Sequence, residues 1–88
     1  MAADTVAPRR IAHNPGRAAA VTPNDSVDLP NPAERLWIGT LGDVEVVPFG
    51  QDSSVTYLNV PSGTYINLRV SRVRAAGTNA SDIIAEFF

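Results

Sequence analysis

From Glu34 onward the chain alternates apolar and polar residues at a period of two, and no segment keeps the 3.6-residue period of an amphipathic helix. That pattern calls for strands and leaves no place for a helical layer. The strand-like runs are Glu34–Thr40 (ERLWIGT), Asp43–Phe49 (DVEVVPF), Ser54–Val60 (SVTYLNV), Thr64–Ala75 and Asp82–Phe88 (DIIAEFF). In the first, Leu36 and Ile38 take one face while Arg35 and Trp37 take the other. Thr40-Leu41-Gly42-Asp43 is expected to be a tight turn with Gly42 at positive φ, and Phe49–Asp52 a loop. Val60-Pro61-Ser62-Gly63 fits a type I turn, with proline second and glycine fourth. Thr64–Ala75 reads as one long strand whose parity slips between Val70 and Val73, which a bulge near Ser71-Arg72 would explain. Five strands spaced by about 10–12 residues predict an all-β fold, a small antiparallel sandwich or barrel.

The first third has a different chemistry. Residues 1–33 hold five of the seven prolines and none of the six aromatic residues. Pro8, Pro15, Pro23, Pro30 and Pro32 each fix φ and remove an amide donor. They also push the residue before them toward extended geometry. The expected organisation is therefore an extended N-terminal arm, residues 1–33, followed by a β-domain, residues 34–88. Such an arm is ordered only by contacts. A neighbouring subunit is the simplest source of them, and packing back onto its own domain is the alternative. The strands raise the same question. Trp37 opposes Leu36 and Ile38, and Ile83 adjoins Ile84, so strands are apolar on both faces where a lone sandwich has one inner side. Subunit contacts explain the second apolar face.

Eighty-eight residues leave room for one domain. Cysteine is absent, which excludes a disulfide scaffold and thiolate zinc sites, and His13 is the single histidine. No acid, base and nucleophile can be assembled from motif spacing, so neither an enzyme nor a cofactor is expected. A net charge of −2 gives no reason to expect a nucleic-acid or membrane partner. Asp25 and Asp28 sit beside Asn24 and Ser26 in the turn that leads into the β-domain. Calcium ligation wants six to eight oxygens and no third carboxylate is near in sequence, so an Asx-type turn is the better reading. Arg69, Arg72 and Arg74 suggest a basic strip. The readings open there are solvated strand positions, ion pairs to Glu45, Asp52 or Glu86 of a neighbour, or a small OB-like nucleic-acid site. Trp37, Tyr57 and Tyr65 offer either packing surface or a sugar-stacking platform. Asn79-Ala80-Ser81 matches a glycosylation sequon, which matters only in a secretory protein.

Several blocks together resemble a known family. They are VTPNDSVDLP (21–30), RLWIGT (35–40), GDVEVV (42–47), NVPSGTYINLRVSRVRAAGT (59–78) and ASDIIAEFF (80–88). The stretch from Val21 to Phe88 is similar to the head spike base proteins of gene transfer agents and related alphaproteobacterial tailed phages. The resemblance implies a virion structural protein made in the bacterial cytoplasm and sited on the capsid head surface. It implies a homo-oligomer, a pentamer, at five-fold vertices, joining the major capsid protein to a spike fibre protein. On that reading Arg9, Arg10 and Arg17 would meet the capsid or a neighbour. Trp37, Arg69, Arg72, Arg74, Phe87 and Phe88 would lie at a subunit or fibre interface. The competing reading is a small β carbohydrate-binding module that contacts host surface polysaccharide.

Overall fold

The computed structural model describes residues 15–88. They form seven strands: β1 (Arg17–Ala20), β2 (Arg35–Thr40), β3 (Gly42–Pro48), β4 (Val55–Val60), β5 (Thr64–Ile66), β6 (Val70–Arg74) and β7 (Ser81–Phe87). The strands make two antiparallel sheets, one of four strands in the order β1-β7-β2-β5 and one of three in the order β4-β3-β6. The all-β sandwich expected from the alternation is the fold. Arg9, Arg10 and His13 lie outside the described residues.

The core lies between the sheets and follows the period-two pattern. Leu36, Ile38, Ile83, Ala85 and Ile66 face inward from the four-stranded sheet, and Val44, Val46, Val70 and Val73 from the three-stranded one. The leucine, Ile38 and all four valines except Val73 are fully excluded from solvent, and Val73 nearly so. Register fixes which residues share a face. On the outer side of the four-stranded sheet, Ala20, Ile84, Trp37 and Tyr65 form a row across four strands.

Three local expectations change. Leu41 alone separates β2 from β3, which belong to different sheets, so Thr40–Asp43 is a corner where the chain switches layers. Gly42 is the first residue of β3 and is not among the glycines at positive φ, which are Gly50 and Gly63. Crowding explains the glycine there: a Cβ on Gly42 would stand 2.5 Å from the backbone nitrogen of Ala80. The run Thr64–Ala75 is two strands, β5 and β6, in different sheets, and residues 67–69 carry the chain between them. The parity slip falls after this layer change, inside β6, whose Val70 and Val73 are both buried. It is the bulge expected near Ser71-Arg72: Val47 pairs with Arg72 and Pro48 with Val70, which leaves Ser71 as the extra residue.

Residues 17–33 join the same body. β1 pairs with β7 from Arg17↔Phe87 to Ala20↔Ile84. The chain then crosses to β6, where Asn24 donates to the carbonyl of Val73 at 2.8 Å and Leu29 to that of Ser71 at 2.8 Å. Ala33 and Val70 exchange backbone hydrogen bonds of 2.9 and 3.0 Å, and Ala33 is fully buried. Val21 and Leu29 pack on the core.

Candidate functional site

The candidate residues fall in the turn before β2 and on or beside strands β1, β2, β6 and β7. The lead-in turn is built by Asn24, whose Oδ1 accepts from the amides of Ser26 at 2.9 Å and Val27 at 3.0 Å. This is the Asx turn expected here. The two aspartates are engaged elsewhere. Asp25 Oδ1 accepts from the amide of Ala76 at 2.9 Å, and Asp28 Oδ1 accepts from Arg72 Nε at 2.9 Å. Arg72 also donates to the carbonyl of Asp25. Among the described residues no group of three or more His, Asp or Glu side chains is placed to hold a metal ion.

The three arginines do not make one basic strip. Arg69 meets Glu34 at 3.1 Å and lies over the Phe49 ring, 4.1 Å from its centroid. Arg72 meets Asp28, and Arg74 lies between Asp25 at 3.9 Å and Glu45 at 3.7 Å. Each positive charge thus faces a carboxylate of its own chain. Glu45, one of the carboxylates expected to meet these arginines from a neighbour, lies beside Arg74 of the same chain. The contacts of Asp25 and Asp28 were invisible because of their separation in sequence: residues 25–28 reach β6 only because they run beside it.

The outer face of the four-stranded sheet brings other residues together. Trp37 and Tyr65 pack edge to face with centroids 5.0 Å apart. Arg35 lies 4.1 Å above the Tyr65 ring and bonds Glu86 Oε1 through Nε at 2.6 Å, while the Tyr65 hydroxyl donates to Glu86 Oε2 at 3.1 Å. The hydrogen bond to Glu86 holds the Arg35 guanidinium above its ordinary pKa. These side chains are half-buried, and cross-strand packing fixes them. Tyr57 belongs to β4 in the other sheet, so the three rings do not form one platform.

At the end of the sandwich where β7 finishes, Arg17 lies 4.9 Å from the Phe87 ring centroid and donates to the Phe88 carbonyl. Phe87 is partly buried against the core, whereas Phe88 is 54% exposed. An apolar groove of about 230 Å³ opens beside Phe87, lined also by Ala19, Ala20, Val21, Leu29, Pro30 and Ala85.

Sequence reasoning read β4 as a strand and weighed Tyr57 within it, but did not single out its exposed apolar residues Val55 and Leu58. Val55, Tyr57 and Leu58 are all exposed, Leu58 at 68%, so this strand shows apolar groups to solvent on both faces. The signal was present, because residues 53–60 contain no charge and no proline to blunt an edge.

No protein-family model matches the chain. No curated protein matches it. Among solved structures, it is similar to a chain of one described as "Capsid of native GTA particle computed with C5 symmetry", GTA standing for gene transfer agent. The two are 28% identical, with a TM-score of 0.76 over 94% of this chain and 92% of that one. Nearly full mutual coverage excludes a likeness confined to a shared motif. The match supports a virion structural protein of the gene transfer agent and phage type, and with it a non-enzymatic role.

Proposed function

We propose that this chain is the base of a head spike, seated as a pentamer at the five-fold vertices of a capsid and joining the major capsid protein to a spike fibre. The observation that carries the reading is the end-to-end similarity to a chain of a gene transfer agent capsid computed with five-fold symmetry. A small sandwich with apolar groups on its outer surfaces suits an adaptor, which needs two or more docking faces and no reaction centre. In this reading Arg9, Arg10 and Arg17 meet the capsid or a neighbouring copy, and Trp37, Phe87 and Phe88 serve subunit or fibre contacts. The arm, residues 1–33, acts with the β-domain as one connector.

The test is to tag the chain, purify the particles and locate the tag by electron microscopy. Label at the vertices, together with loss of spikes when the chain is deleted, is the expected result. Particles that keep their spikes without the chain, or label spread over the capsid faces, would overturn the proposal.

A further inference from the structure

The edges of the two sheets are treated unequally. The outer edge of β6 is clothed by residues 24–33, through the amides of Asn24, Leu29 and Ala33. β5 is three residues long and offers little edge. Among the described residues nothing pairs with the outer edges of β1 and β4.

Hydrogen-bond alternation shows which groups these edges present. Val21 donates to the carbonyl of Ile83, its register partner, so residues 19 and 21 bond toward β7. Ala18 and Ala20 therefore point their amides and carbonyls outward. On β3, Glu45 donates to Thr78 Oγ1, and the Asp43 carbonyl accepts from Asn79. Residues 43 and 45 thus bond away from β4, while Val44 and Val46 bond to their partners Tyr57 and Val55. Thr56, between those two, is left with its amide and carbonyl facing out.

The two free edges lie on opposite sides of the body. Residues 21–24 lead from β1 to β6, whereas the turn Pro61–Gly63 leads from β4 to β5, the far edge of the four-stranded sheet. Within the described residues of one molecule the two edges therefore cannot pair with each other. Charge also differs. Residues 1–20 carry three arginines against one aspartate, whereas residues 21–88 carry four arginines against eight carboxylates. Every arginine of the second group pairs with a carboxylate, while Asp52, just before β4, meets no arginine among the described residues. Side-chain bulk is matched as well: β1 has alanine at three of four positions, and β4 projects Val55, Tyr57 and Leu58.

We propose that the β1 edge of one copy pairs with the β4 edge of the next, through Ala18 and Ala20 on one side and Thr56 on the other. The contact is heterologous, so it propagates in one direction and closes when the rotation per copy permits. This inference rests on the homo-oligomer reading above and names the surface that makes it.

The test uses native mass and sedimentation of the full chain over a range of concentrations. The variants are Thr56→Pro and Ala20→Pro, which remove outward donors without removing a bond to the neighbouring strand. Each alone is expected to shift assembly at least about tenfold in concentration, a change of about 1.4 kcal/mol. Because each retains the edge the other lacks, an equimolar mixture should form a one-to-one dimer and nothing larger. Thr56→Lys and Ala20→Lys repeat the test with the backbone amide intact, and circular dichroism checks folding. Assembly by Ala20→Pro alone, with Thr56→Pro monomeric, would show β4 pairing with itself and overturn the proposal. Oligomers unaffected by either change would overturn it while leaving the homo-oligomer reading standing. A wild-type monomer at every concentration would remove both, and vertex labelling of particles would still test the virion role independently.

Discussion

β4 and β6 flank the same strand, β3, yet one is bare and the other is covered. Both are rich in β-branched residues, so strand propensity does not separate them. The difference is made by residues 24–33, which lie along β6 and supply amides to Ser71 and Val73 and a two-way bridge to Val70. Arg72 gains the side chain of Asp28 and the backbone carbonyl of Asp25 as partners. The segment that looked like an arm is therefore what closes one edge of the sheet. An edge closed by its own chain is structural, whereas an edge left open with apolar side chains is available for assembly.

The comparison can be broken at four places of decreasing effect. Ala33→Asp places an unpaired carboxylate at a fully buried site in the clothed edge, and should lower unfolding stability by about 3 kcal/mol or more in urea titration. Asn24→Ala removes the acceptor that shapes the turn, and about 1 kcal/mol is expected by the same measurement. Arg72→Ala removes the ion pair to Asp28 and should cost about 0.5–1 kcal/mol. A loss in thermal melts that does not shrink with added salt would show that packing of its stem contributes more than charge. Leu58→Lys on the bare edge should change the stability of dilute protein by less than about 0.5 kcal/mol. A large loss there would mean that Leu58 packs within its own subunit, and the contrast between the edges would fail.

The alternation made β2, β3 and β7 legible because each keeps one face on a single core, whereas β4 was legible from its β-branched and aromatic residues. The division of Thr64–Ala75 was hidden for a physical reason. Two sheets of a sandwich face the same interior, so Ile66, Leu68 and Val70 stay inward while the chain passes from one sheet to the other. Periodicity therefore cannot register the change of layer. β1 was hidden differently: Ala18, Ala19 and Ala20 have no contrast from which to read a face. The site was legible in part. Trp37 shows its pairing potential by opposing Leu36 and Ile38, but its contact with Tyr65 depends on the β2–β5 register. The carboxylate partners of Arg72 and Arg74 were out of reach because they lie more than forty residues away in sequence, except Glu45.

The position of β7 carries a consequence for the order of events in folding. It lies between β1 and β2, so neither of those strands has its central mate until residues 81–87 have been made. Nearly all the pairing in the four-stranded sheet therefore joins distant parts of the chain, and the loop-closure entropy must be met before the sheet returns any enthalpy. Folding of this topology belongs on the millisecond-to-second scale, not the microsecond scale of local helical folds. During synthesis the sheet waits for its last strand, and premature release or truncation before Ile83 would leave β1 and β2 as two unjoined strands competing for partners on other chains.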